Sequence, residues 1–317
     1  MWKSRSRSRN PFKNSAVRRI LRWMPIAVIL LTTACLLVMM LLGGMARVWA
    51  WYVLRVMLIL PILGLIFLID AVLYAIKRQR ISKRIIITAL GSLLFLAPRF
   101  VDPSLPYPAS IDATKPAATV RLPANVPLKT AWGGDTADVN YHVTIPGARW
   151  AYDFVVEPYF TDSPELTDHG CYGVPVVAPA AGIVTAAHDG EPDTPINSDE
   201  PVENPENFVV IKLDTTGTYL AIGHFKSGSV RVKAGERVEE GQEIARCGNS
   251  GDSSDPHIHI HHQRQELNFD SPVWFAEGLP LYFRDHDGPP MPEGGVRVEN
   301  GKKIATGVTV QHIGKPK

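Results

Sequence analysis

The sequence predicts N-terminal transmembrane helices followed by an all-β, mainly antiparallel domain. Three observations predict it. Residues 24–42, 56–76 and 85–98 are apolar runs, and about 20 apolar residues suffice to cross a bilayer as a helix. From Ala131 the chain turns to short Val, Ile, Tyr and Phe runs cut by Gly, Pro and Asp, the composition of strands and turns. Charge divides the same way. Residues 1–84 hold fifteen of the 33 Lys and Arg with a single acid, Asp70, whereas residues 85–317 hold eighteen basic and thirty acidic side chains, a net of −12. A basic head on an acidic body suits a head partnered by the lipid bilayer and excludes nucleic acid as a partner of the folded part.

Taken in order, residues 1–22 carry eight Lys or Arg and no acid, and 24–42 is then almost wholly apolar. A second long apolar run follows, so the segment reads as an uncleaved anchor rather than a signal peptide. Trp49, Trp51 and Tyr52 fit an interfacial aromatic belt. The span 56–76 is broken only by Asp70, under two turns from Lys77 and Arg78 and able to reach the interface with them. The loop 77–84 is heavily basic, while the loop near 43–48 offers only Arg47. Basic segments stay in the cytoplasm. Three spans, the last of them short, then complete an anchor over 1–98 and put everything after Arg99 on the extracytoplasmic side of the cytoplasmic membrane. Prolines 98, 103, 106, 108, 116, 123 and 127 predict a stiff, extended linker over 99–130.

The domain is expected over 131–285, with a tail at 286–317. Asn140–Val143 and Arg149–Val156 read as a hairpin around the turn 145–148, and 173–184 as strand, tight turn and strand. Residues 208–213 and 219–224 read as further strands, and the glycines of 232–245 mark bends or close packing. The polar segment 189–206 is too long for a simple connection.

The densest chemistry lies in His257-Ile-His-Ile-His261. Period-two alternation puts three imidazoles on one strand face and the isoleucines on the other, with His262 opposite. A His-rich tract is by itself as compatible with an exposed patch as with a site. Asp153 on one strand and His224 at the end of another add the missing parts: a carboxylate and imidazoles sufficient for a zinc site, with histidines to spare for proton transfer. Zinc-assisted amide hydrolysis is the reaction class this set suits. His188 reads as a surface residue and His261 as a support behind the ligands. Asp252, Ser253, Ser254 and Asp255 read as turn residues placed to line a groove. Of the three cysteines, Cys35 lies in an apolar run, and Cys171 and Cys247 can pair if the domain lies outside the cell.

The ordered series Gly173-Val-Pro-Val-Val-Ala178, Gly182, Val184, Ile222-Gly-His224, Val232-Lys-Ala-Gly235, Val238, Gly241-Gln242, Ile244, Gly248-Asn-Ser-Gly251 and Pro256-His-Ile-His259 resembles the lysostaphin-type, LytM-like zinc endopeptidases of bacterial cell walls. The resemblance covers about 131–285 and none of the anchor. It implies a LytM-like peptidase fold and Zn2+ held by Asp153 and His259. It also implies catalytic histidines at 224 and 257, and the peptide stems or cross-bridges of peptidoglycan as substrate. It places the segments of Cys171 and Cys247 in one sheet system, close enough for a disulfide.

The sequence departs from the family at Arg149, where the first zinc ligand is expected; an arginine stays protonated and does not ligate. Two readings follow. In the first, His142 replaces the ligand from the facing arm of the hairpin, with His169 a weaker substitute, and the protein is a membrane-anchored zinc metalloendopeptidase. In the second, Arg149 pairs with Asp153, and the zinc-free domain binds the wall or activates other wall hydrolases. The retained histidines favour the enzyme.

Overall fold

The computed structural model describes residues 30–57, 105–196, 206–266 and 275–314, with positions 27, 69, 72, 76 and 86. The chain divides into two compact units, 1–105 and 106–317.

In the first unit residues 30–41 are helical, and a second helix, α1 (Gly44–Met57), follows after a break of two residues. The expected loop at 43–48 is therefore largely helix. Gly44 takes the turn at φ 65°, Arg47 Nε donates to the Leu42 carbonyl at 2.8 Å, and Arg55 lies in the last turn, where a cation suits the helix dipole. Among the described residues no helix is long and apolar enough to cross a membrane. The predicted spans 56–76 and 85–98 fall almost wholly outside the described residues.

The second unit is built from β1 (Ala118–Arg121), β2 (Leu128–Trp132), β3 (Tyr152–Val155), β4 (Pro175–Val177), β5 (Gly182–His188), β6 (Phe208–Leu213), β7 (Tyr219–Gly223), β8 (Arg237–Val238), β9 (Glu243–Arg246), β10 (Ile258–Gln263), β11 (Gly278–Leu279), β12 (Leu281–Arg284), β13 (Val296–Glu299), β14 (Lys302–Ala305) and β15 (Thr309–Val310). Its main sheet runs β15-β2-β3-β10-β7-β6-β5-β8 with every pairing antiparallel, and β11 adds to β10. The smaller pairs are β1 with β12, the one parallel contact among them, β4 with β9, and the hairpin β13–β14.

Two segments outside the expected domain belong to this unit. Part of the predicted linker is folded: β1 pairs with β12, and Val120 and Leu122 are buried in the core. Pro116, Pro123 and Pro127 fall just outside β1 and β2, where a missing N–H costs no ladder bond. Part of the predicted tail is folded too, since β15 pairs with β2 and covers an edge of the main sheet.

The core follows from alternation. Tyr152 and Phe154 of β3, Ile258 and Ile260 of β10, Leu220 and Ile222 of β7 and Val209 and Ile211 of β6 are fully buried, packed with Val120, Phe283, Val176 and Ile244 of the smaller pairs. Each such side chain contributes roughly 1.5–3 kcal/mol by leaving water. With these residues committed to one face, Asp153 and His259 must occupy the other, and the register sets His259 opposite Asp153 on one side and Gly223 on the other. Cys171 and Cys247, both fully buried, are joined in a disulfide as expected.

Candidate metal centre

His142, Asp153 and His259 each offer one ligand atom, and these atoms lie within 4.8 Å of one another. The expected hairpin does not bring them together. Residues 141–144 form a 3-10 turn, not a strand, and the following strand is confined to Tyr152–Val155. The reason is Asn140, whose side chain accepts the His142 backbone N–H at 3.1 Å and so caps the turn, a local bond that competes with strand pairing. Its Nδ2 donates to the carbonyls of Gly134 and Ala151 at 2.9 and 3.1 Å. His142 thus arrives beside Asp153, Nε2 to Oδ2 3.6 Å, by a route the alternation pattern did not contain.

The hydrogen bonds determine where each imidazole carries its proton. Because Asn140 Nδ2 is occupied by two carbonyls, Oδ1 is the acceptor facing His142 Nδ1 at 2.9 Å, so His142 carries Nδ1–H and turns the lone pair of Nε2 toward Asp153. Gln263 Nε2 donates to the Gln265 carbonyl, leaving Oε1 to accept from His261 Nε2 at 3.0 Å. His261 Nδ1 then accepts from His259 Nε2 at 3.0 Å. The other nitrogen of His259, Nδ1, faces Asp153 Oδ1 at 2.8 Å. That contact joins two electron pairs and needs a cation on the nitrogen. A proton or a metal ion meets the need. This orientation of ligating imidazoles by their outer nitrogens is the usual construction of a metal site, and an imidazole–carboxylate–imidazole set is one that zinc accepts.

Electrostatics agree. Burial alone would raise the Asp153 carboxyl, but the imidazoles of His142, His257 and His259 outweigh it and hold Asp153 well below the usual carboxylate range. Burial pushes His142 down to about 3 and His261 to about 3, so both are neutral at ordinary pH. For His259 burial works against charge, and the hydrogen bond and attraction of Asp153 more than reverse it, raising its pKa.

His224 and His257 flank this group, their ring centroids 4.6 Å apart. His257 Nδ1 donates to the Asp255 carbonyl at 2.8 Å, and its Nε2 lies 3.6 Å from Asp153 Oδ1. Burial holds His257 down at about 4, hence neutral and able to accept a proton. His224 Nδ1 has the Ser250 carbonyl at 2.8 Å. A cleft of about 350 Å³ opens beside them, lined by Asp153, His257, the turn residues Asp252, Ser253, Ser254 and Asp255, and the aromatic walls Trp132, Tyr141 and Phe160. A neutral imidazole base such as His257, beside a buried carboxylate and an open cleft, can take a proton from water and return it to a leaving amine.

Arg149 does not pair with Asp153. Its guanidinium bonds the carbonyls of Tyr107 and Asp135, pairs with Asp135 Oδ1 at 3.0 Å and lies over the Trp150 ring. Its charge is therefore spent elsewhere. His169 is buried with its ring against Thr161 and Ser163, outside the ligand group. His188 pairs with Glu191, and His262, on the core side of β10, bonds Thr218 and the Pro280 carbonyl. Sequence reasoning gave no role to Asn140, Gln263 or Glu206. Asn140 and Gln263 act within their own segments, on His142 and His261, and Glu206 acts on His224 from another segment; none of the three belongs to a motif that spacing would signal.

Residues 167–271 match the model of Peptidase family M23. The match contains His224, His257 and His259, while His142 and Asp153 lie before it. Among solved structures, lysostaphin from Staphylococcus simulans is 18% identical over 48% of this chain and 47% of its own, with a TM-score of 0.30. The catalytic domain of the A109H mutant of the prophage-encoded M23 protein EnpA from Enterococcus faecalis is 18% identical over 48% and 88%, TM-score 0.29. A zinc-containing peptidase from Vibrio cholerae is 21% identical over 45% and 37%, TM-score 0.26. The matched part of this chain spans about half the length of lysostaphin and of a putative M23 peptidase from Pseudomonas aeruginosa, 47% and 54%. The His-Asp-His group is thus completed by His259, which comes from a segment, residues 167–271, that matches the model of Peptidase family M23.

Proposed function

We propose that the protein is a zinc metalloendopeptidase that hydrolyses peptide bonds in the stems or cross-bridges of bacterial peptidoglycan. The observation that carries this is the convergence of His142 Nε2, His259 Nδ1 and the Asp153 carboxylate as electron-pair donors, each imidazole locked by its outer nitrogen. Zinc, when bound, supplies Lewis-acid chemistry, lowering the pKa of a water toward about 7 and polarising a carbonyl. The chain's own groups do the rest. His142, Asp153 and His259 hold the ion. His257, neutral and with Nδ1–H tied to the Asp255 carbonyl, accepts the proton of the attacking water at Nε2 and delivers it to the departing amine. His224, with its Nδ1 tied to Ser250, steadies the oxyanion or shares the proton transfer. Trp132, Tyr141 and Phe160 provide the wall against which a peptide lies.

The test is metal content and cleavage on the full-length protein. One zinc per chain is expected, with release of new amino groups from purified peptidoglycan that chelation abolishes. His257→Ala should keep the zinc and lose about 10²–10⁴-fold in rate, the scale of general acid–base groups. A full-length protein that binds no zinc would hand the domain to the alternative role, a metal-free binder of the wall or activator of other hydrolases.

The N-terminal segment is proposed as a multi-pass anchor in the cytoplasmic membrane with the domain on the extracytoplasmic side. Its support is the apolar runs and basic flanks of the sequence, together with the exposed Leu30, Leu31, Met40 and Leu41 of the first helix. Protease added outside intact cells should cleave the domain from the anchor. Protection until lysis would remove both the orientation and access to the wall.

A further inference from the structure

Glu206 takes no part in the chemistry above, yet it is built against His224. One oxygen, Oε2, accepts the His224 backbone N–H at 3.2 Å and lies 3.1 Å from His224 Nδ1. The other neighbour of Nδ1 is the Ser250 carbonyl. Both are acceptors only, so Nδ1 carries a proton. His224 needs such a hold. It sits at φ 61°, a left-handed conformation that is strained for a residue with a side chain and persists only where the surroundings over-determine it. A single carboxylate oxygen gripping both the main chain and the ring of one residue sets its backbone and its side-chain torsions together.

The space for this carboxylate is made by two glycines. A Cβ on Gly223 would lie 2.3 Å from Glu206 Oε2, and one on Gly251 would lie 2.7 Å from Glu206 Cβ. Gly251, at φ 75°, has a conformational reason to be glycine. Gly223 has none: it ends β7 within the ladder, without a positive φ, where glycine weakens a strand. What its missing side chain provides is the seat of Glu206.

We propose that Glu206 is the positioning residue of His224, seated in a socket formed by Gly223 and Gly251. What His224 does once positioned rests on the hydrolase reading, whereas the clamp itself does not. The experiment compares Glu206→Ala, Glu206→Gln, Glu206→Asp and Gly223→Ala in the zinc-loaded full-length protein. Zinc content and KM should match the parent in all four. Glu206→Ala and Gly223→Ala should each lose about 10²-fold in kcat, the scale of a misplaced catalytic group. Glutamine keeps the reach and an acceptor oxygen and should retain most of the rate. Aspartate keeps the charge but is one methylene short and should behave like alanine. The ring resonances of His224 in a histidine-selective NMR spectrum should move in Glu206→Ala and Gly223→Ala and stay in Glu206→Gln, a readout independent of turnover. A parent that does not cleave peptidoglycan would count against the hydrolase reading alone, and the ring spectrum would still decide the clamp. Unchanged His224 resonances in Glu206→Ala overturn the proposal. So do loss of zinc on that substitution, or an aspartate variant that outperforms glutamine.

Discussion

His142→Ala, Asp153→Ala and His259→Ala should each release zinc from the full-length protein and abolish cleavage of peptidoglycan. Each removes one of the three proposed donors, the number that a catalytic zinc site ordinarily takes from its protein. His142 is the discriminating case, because it arrives on a capped 3-10 turn rather than through the strand register that sets Asp153 opposite His259. Asn140→Ala tests the same point one step back. It leaves His142 in the chain but removes the acceptor that orients Nδ1 and caps the turn, so zinc affinity should fall by about 10–100-fold, the usual effect of losing an outer partner of a ligand. Equilibrium dialysis against a zinc buffer separates the two magnitudes. A His142→Ala protein that binds zinc as tightly as the parent would remove His142 from the ligand set. Arg149→Ala should leave zinc content unaltered, because that guanidinium is engaged with Asp135 and Tyr107.

Breaking the Cys171–Cys247 disulfide should cost the domain about 4.5 kcal/mol, the value that the chain-entropy relation gives for a loop of this size, the two cysteines being 76 residues apart. The bond ties the segment before β4 to the end of β9, and β4 and β9 are themselves paired. Both sulfurs are shut away from solvent, so alanine at both positions leaves small cavities but no unsatisfied charge. Denaturant titration of the Cys171→Ala/Cys247→Ala protein against the parent measures the loss, and an unchanged midpoint would show that the loop is already restrained without the bond. A stabilising disulfide fits a domain that works outside the reducing cytoplasm, in line with the proposed orientation.

Alternation alone determined that His257, His259 and His261 share a face opposite Ile258 and Ile260, because strand geometry allows nothing else once the isoleucines enter the core. The strands 208–213 and 219–223 were legible for the same reason. The role of Asp153 was legible from its residue type in a strand and from the family resemblance; its pairing opposite His259 came from the register between β3 and β10, a long-range fact with no local signal. His142 was reached by a hairpin argument that gave the right neighbour through the wrong backbone. An asparagine bonding its own turn outweighed the strand preference of the residues around it. The prolines of 99–130 spoke for a linker, and the structure used them to flank strands, since a proline costs nothing where no ladder N–H is needed. Arg149 was legible as a residue that does not ligate, but its partner was not, and Glu206 and Gln263 carried no signal in the sequence. Each was decided by the tertiary structure, because the partner that gives a polar side chain its orientation, whether Asp135, His224 or the carbonyl of Gln265, is chosen by which backbone atoms the fold brings within hydrogen-bond reach.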